Sequence, residues 1–484
     1  MNRRHYLWAA AGLLLSLWPA AGQDEGDFGF GFGDEAAEAA AQPGVKLSGD
    51  VSTKILGYGS DFRSAEAFKD ARLGDIFAGK LKFAASAFNT EMAINLKLAP
   101  VFDDFSSALG LDEAYLRVYL GNFDLEGGLR KLTWGKADSF GPLDTINPLD
   151  YRDFTAMTDL MGRKIARPMI HASYRLGAFS TIEGVFVPTF EGHRFAGNGR
   201  WTPSQVRELP ASISRGLVRL APAAFRQAVQ TEIASGLNSS VINDAYPSQN
   251  DLASLQYAQA GARFTTTVRS SDFGLQYYFG RLGRPSVTVE GASALRGLTP
   301  QNASRVLQSL KPRIIYNPYH QFGADYARVI AGFNLRAEFA AHITGDRSGK
   351  DGSVYNPFLA WSLGFDRDLF GGVNLNLQAT ETIRLMNSGV RDNPALDTEA
   401  GTDMTSTRVT MVLSKKLLRD ELELKTTGIW GIEDRDFLII PAIVWTKWDM
   451  TAELSGGIFG GDEQGELGQY RNNNFFKTML TYSF

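Results

Sequence analysis

Four histidines follow residue 22, at positions 171, 193, 320 and 342, and they bound the chemistry open to this chain. No two stand at the short spacing that presents a pair of imidazoles to one metal ion. His342 and Glu338 share one face of an alternating segment, where they read as polar lining rather than as a general base and its partner. The chain has no Gly-rich phosphate loop, no Ser-nucleophile elbow and no His-Glu-x-x-His zinc signature. With no cysteine it has no thiol nucleophile, no disulfide and no lipoprotein anchor. The residue types therefore predict no catalytic site, metal site or cofactor, and the chain is expected not to be an enzyme.

The charged side chains instead alternate with apolar ones. Arg117, Arg130, Arg263, Arg336, Glu338, Arg384, Arg408, Lys425 and Glu453 fall on one face of period-2 segments. Leu116, Val118, Phe333, Leu335, Phe339, Trp361, Leu363, Val409 and Met411 fall on the other. A charge on a lipid face costs roughly 2–4 kcal/mol at mid-depth, so the polar face must line a lumen and the apolar face must meet lipid. The first eight of these charged residues are the candidate pore lining. Lys131 and Glu381 fit the apolar face poorly.

Strands must position these residues. After the first 22 residues, no run approaches the roughly 20 apolar residues of a membrane-crossing helix. Alternating segments recur from Val45–Ile55 through 76–88, 90–99, 112–121, 123–135, 167–176, 178–190, 256–270 and 272–284. They continue near 313–328, 331–346, 356–368, 372–386, 404–416, 421–433, 436–449, 450–461 and 473–484. That is about eighteen segments, most near the length a tilted strand needs to cross a bilayer, with sixteen as the alternative count. Connections after even-numbered segments are tight, such as Gly121-Asn122 and Asp449-Met450, while those after odd-numbered segments are mostly long. A β-sandwich has no reason to alternate this way. The pattern predicts an all-β fold: a transmembrane antiparallel up-and-down β-barrel with helical segments in long extracellular loops.

Two of those loops are large enough to fill a wide lumen. The 191–255 loop reads as two short helices broken by Pro210 and Pro222, with apolar stripes Ile213, Leu217, Leu220 and Phe225, Val229, Ile233, Leu237. Phe225, Val229 and Ile233 are candidate contacts for a hydrophobic ligand; the alternative is helices packed on each other. Thr299-Pro300 predicts another helix start. The loop after residue 135 carries Asp138, Asp150, Arg152, Arg163 and Lys164, whose ion pairs would fold it inward as a constriction. The alternative is that its Trp134-Gly135 and Asn147-Pro148 elements simply set loop shape.

Phe476, Leu480, Tyr482 and Phe484 lie on one face of the final segment, opposite Lys477, Thr481 and Ser483. This ending resembles the assembly signal of bacterial outer-membrane β-barrels, except that Met479 stands where a small residue is usual. The segment from Trp134 to Met169, with Lys136-Ala137-Asp138, Asn147-Pro148-Leu149-Asp150-Tyr151-Arg152 and Pro168, resembles one in large barrels thought to act as porins or exporters. The resemblance implies a porin-like channel for passive diffusion of small solutes. It also implies outer-membrane lipid and lipid-embedded barrel-assembly machinery as partners, and leaves homo-oligomers open. A fatty-acid-transport type of barrel and a surface protein with adhesive loops are the alternatives.

At the other end, Arg3-Arg4, the apolar run from Leu7 to Leu17 and Ala20-Ala21-Gly22 read as a secretory signal peptide, residues 1–22. Residues 23–44 form an acidic Gly/Ala-rich tail expected in the periplasm, with Phe28, Phe30 and Phe32 in alternation, and residues 45–484 form the barrel. The formal charge is −4, or −6 once Arg3 and Arg4 are removed, so nothing suggests nucleic acid as a partner. The expected location is the outer membrane of a diderm bacterium, after secretory export.

Overall fold

A computed structural model describes residues 44–59, 72–73, 78–98, 109–236 and 247–484. The segments read as signal peptide and acidic tail, apart from Gly44, lie outside the described residues, as does Leu237.

Alternation becomes architecture through backbone pairing. The barrel strands are β1 Gly44–Gly59, β2 Ala78–Ala87, β3 Thr90–Leu98, β4 Leu109–Leu120, β5 Phe123–Arg130 and β6 Arg167–Leu176. Next come β7 Ser180–Val187, β8 Gln259–Val268, β9 Ser271–Arg281, β10 Pro318–Ile330, β11 Phe333–Thr344 and β12 Phe358–Leu369. The last six are β13 Val373–Arg384, β14 Thr405–Leu417, β15 Leu422–Gly431, β16 Asp436–Lys447, β17 Met450–Gly461 and β18 Asn474–Ser483. Each pairs antiparallel with the next, and β18 pairs back onto β1 from Asp50↔Ser483 to Gly59↔Asn474. The result is a closed barrel of 18 strands, not 16. A two-residue strand, Arg72–Leu73, adds to β1 beside this ring.

The tight turns share one conformation. Phe88, Arg269, Ala331 and Trp448 have φ of 54°, 58°, 52° and 54°. Two-residue hairpins need this left-handed backbone to match strand twist. Phe88 and Trp448 project almost fully into the surroundings, at 88% and 83% exposure, which places aromatics at the rim of the apolar belt.

Several boundaries differ from the sequence reading. The segment expected at 313–328 is two elements: Lys311–Ile315 pairs with Ser286–Glu290 in a hairpin outside the barrel, and β10 begins at Pro318. Strand β10 continues through Val329-Ile330, so its turn falls at Ala331-Gly332. Pro210 does not break the helix of the long loop: α1 spans Ser204–Leu220 with Pro210 inside it, and only Pro222 separates it from α2, Arg226–Gly236. The helix expected to begin at Pro300 after a Thr299 cap starts three residues later, as α3, Ala303–Gln308, because Thr299 and Asn302 close a turn ahead of it.

Candidate functional site

The site is built by the chain between β5 and β6, residues 131–166, which touches the inner wall in three sectors. The first contact is made by residues 136–143 along β9 to β13. The Glu338 carboxylate accepts backbone N–H groups from Lys136, from Ala137 at 2.7 Å and from Leu143 at 3.4 Å. Gln378 accepts from Ser139 N at 3.0 Å and donates to Phe140 O. Gln321 donates to Pro142 O at 2.8 Å, and Gln276 to Leu143 O at 3.0 Å. Asp138 pairs with Arg336, which also binds Asp366 at 2.6 Å, and accepts from Asn376 at 2.8 Å. A Cβ at Gly135 or Gly141 would fall within 2.5 Å of a Glu338 carboxylate oxygen, so only glycine lets the loop approach this closely.

The second contact is aromatic. Phe154 lies 4.6 Å from the Tyr470 ring and 5.4 Å from Trp201, and the three pack with Met157 against Ile429, Leu438, Phe459 and Phe475 on β15 to β18. The third is cationic: Lys97 donates to Gly162 O and Lys131 to Met161 O, while Asp112 binds both lysines at 2.8 and 2.7 Å. Lys131 therefore sits inside, just past the end of β5, and its poor fit to the lipid face disappears. Glu381 does stay on the outer face, where the Trp361 Nε1–H donates to it at 2.6 Å.

Of the charges expected to fold the loop inward, only Asp138 reaches the wall. Lys164 binds Asp144 at 2.7 Å within the loop, and Arg152 binds Asp150. Arg163 donates to Asp150 O and lies over the Tyr151 and Phe140 rings. These four shape the loop. Burial raises the Asp138 carboxyl above its ordinary range, against the opposing pull of Arg336.

The eight lining candidates fall in two groups. Arg117, Arg130, Arg263, Arg336, Glu338 and Lys425 face inward along the wall. Arg117 binds Glu126 at 2.6 Å, Arg130 binds Glu126 and Glu113, and Arg263 binds Asp325 at 2.6 Å. Lys425 stands across from Ala442 and Ser414. Arg384 and Arg408 sit at the loop-bearing end, held by Thr402 and Glu399 and by Glu466. Arg263 and Glu338 are buried, at 5% and 4% exposure, rather than presented to open lumen.

Beyond the strands, α1 and α2 pack on Val289, Ala292, Leu295, Leu298, Ala395 and Leu396 from neighbouring loops. Val229 and Ile233 are buried in that core, with Phe225 packed against it. The apolar stripe thus faces other loops.

The residues that sequence reasoning missed are the glutamines at 276, 321 and 378 and the Phe154–Trp201–Tyr470 knot. The glutamines carried a signal: each is a polar residue at an inward position of an alternating strand.

The strand closure decides the fold. The chain is a transmembrane antiparallel up-and-down β-barrel. No protein-family model and no curated protein matches this barrel's sequence. Among solved structures, the barrel is similar to a BenF-like porin from Pseudomonas fluorescens, at 9% identity and TM-score 0.47 over 91% of this chain and 98% of that one. It is also similar to the outer membrane channel DcaP of Acinetobacter baumannii, at 10% identity and TM-score 0.40 over 92% and 98% of the two chains. The outer membrane protein OmpT of Vibrio cholerae is similar at 10% identity and TM-score 0.42, over 92% and 100%.

Proposed function

We propose that the protein is an outer-membrane channel for passive diffusion of small hydrophilic solutes, with loop 131–166 setting the bore. One contrast carries this reading. Inward residues on β9 to β13 are sealed beneath the loop, with Gln276, Gln321, Glu338 and Gln378 each at 6% exposure or less. Inward residues Lys46, Lys80, Lys82 and Lys416, elsewhere on the same inner surface, are exposed. An interior packed on one side and wet on the other is what a constricted channel requires.

In this reading the apolar face meets the lipid of a diderm bacterium's outer membrane after export directed by residues 1–22, and residues 23–44 stay in the periplasm. The barrel-assembly machinery engages the face of Phe476, Leu480, Tyr482 and Phe484, the barrel performs no bond chemistry, and copies associate as homo-oligomers. No observation favours uptake of hydrophobic compounds, because Val229 and Ile233 are spent on loop packing.

The test is single-channel recording of the refolded barrel in a planar bilayer. Steady conductance, left intact or increased by Val229→Ser, is expected. A folded barrel that stays silent sinks the passive-channel reading, and loss of hydrophobic-solute uptake in Val229→Ser would favour the transporter.

A further inference from the structure

The outer face of β14 presents Val409, Met411, Leu413 and then Lys415, so this lysine continues an apolar row that meets lipid. It stands across from Val373 on β13 and Leu424 on β15. Other charges on this face have protein partners. Lys447 binds Glu421 at 3.2 Å, Arg367 lies over the Phe333 ring, and Glu381 accepts from Trp361. Among the described residues, no carboxylate or ring partners Lys415. It lies three residues, roughly 10 Å along the strand, from the turn that begins at Leu418. A lysine there covers hydrocarbon with its stem and carries its ammonium to the headgroup level.

Beside Lys415 the outer surface is hollowed. A groove of about 480 Å³ crosses it from β13 to β17. Lys415, Leu424, Ile443 and Leu454 stand in register along one side, the last three as exposed apolar side chains. The other side begins at Leu413 and then stays low, because Thr426, Pro441 and Gly456 are small. Pro441 has no N–H for the ladder, and the pairing of β16 with β17 lapses between Ile439↔Ile458 and Ala442↔Ser455. The groove is therefore apolar along its length and cationic at its β14 end.

We infer that this groove holds an anionic phospholipid, with an acyl chain between the two rows and the headgroup phosphate against the Lys415 ammonium. The flat strand face of a second copy would leave the groove empty and the lysine without a counter-charge, so charge complementarity favours the lipid. The inference uses only the lipid-facing side of the barrel and stands whether or not the lumen conducts.

The experiment places the refolded barrel in phosphatidylethanolamine vesicles doped with phosphatidylglycerol that carries a photoreactive acyl chain, and maps the labelled peptides. Wild type is compared with Lys415→Gln, Lys415→Arg, the groove-filling Thr426→Leu and, as a control, Lys447→Gln. Heat-modified mobility verifies folding. Labelling is expected to concentrate on residues 413–426 and 441–456. It falls roughly fivefold in Lys415→Gln, the worth of one lysine beside an anionic headgroup. It is kept in Lys415→Arg and Lys447→Gln and reduced in Thr426→Leu. Labelling spread evenly around the belt, or equal in wild type and Lys415→Gln, overturns the inference. Equal labelling by a photoreactive phosphatidylethanolamine overturns the headgroup contact. Protection of both segments together with a dimeric mass assigns the groove to a second copy and also overturns it.

Discussion

Glu338 gathers much of the contact between loop 131–166 and the wall in one side chain. Its carboxylate accepts three backbone N–H groups from the loop, all with the side chain at 4% exposure. Hydrogen bonds to a charged acceptor contribute roughly 1.5–3 kcal/mol each, and a buried donor left without a partner costs roughly 1–3 kcal/mol. Glu338→Gln keeps the shape but loses the charge, and its amide hydrogens face donors. We expect faster amide hydrogen exchange over residues 136–143 and a larger or noisier conductance. Unchanged exchange in that segment would show that Gln276, Gln321 and Gln378 hold the loop without Glu338. Sequence reading singled out Glu338 as a lining residue through alternation, yet its partners are backbone groups some 200 positions away. No side-chain pattern marks those.

The loops form a connected layer of elements, and His193 is one of its ties. Leu149 N donates to its Nδ1 at 2.9 Å, and its own N–H donates to Gly283 O, so it joins loop 131–166 to the β9–β10 connection. Desolvation of the ring lowers its pKa to about 4, and Arg284 and Arg163 push the same way. A detached His193 titrates near 6.5. A depressed folded value means that the tie contributes fully above about pH 6.5 and is lost as pH falls through about 4. We expect wild-type channels to become noisier between pH 7 and pH 4, and His193→Gln, whose amide oxygen still accepts, to change little. Equal pH dependence in both would assign the effect to another group. Element boundaries were less legible than element types here. The hairpin of Ser286–Glu290 with Lys311–Ile315 merged with β10 because Asn317, which separates them, looked like one more strand residue. It is 1% exposed and serves Tyr355 N instead.

At the scale of the whole molecule, closure depends on the last residues of the chain. Gly49 and Phe484 exchange backbone hydrogen bonds at 2.9 Å in both directions, and the Phe484 ring stacks near Tyr482 on the outer face. Removing Phe484 deletes two ladder bonds at the seam, about 1–3 kcal/mol together. The expected outcome is a lower temperature for loss of heat-modified mobility, with the conductance of intact barrels preserved. An unaltered melting temperature would mean that the remaining β1–β18 pairs carry the seam alone.

The amino-acid sequence by itself determined the barrel and its two faces, because lipid penalises every misplaced charge and so writes the period-2 rule into each strand. It also determined which connections are short, since tight hairpins restrict residue type. Tertiary structure alone decided where the interior is packed and where it is open. Phe154, Trp201 and Tyr470 meet only after the barrel closes. Lys477 becomes a neighbour of the residues of β1 only when β18 pairs with β1. Charge along a chain can be read locally, but charge around a ring depends on which strands the closure makes adjacent.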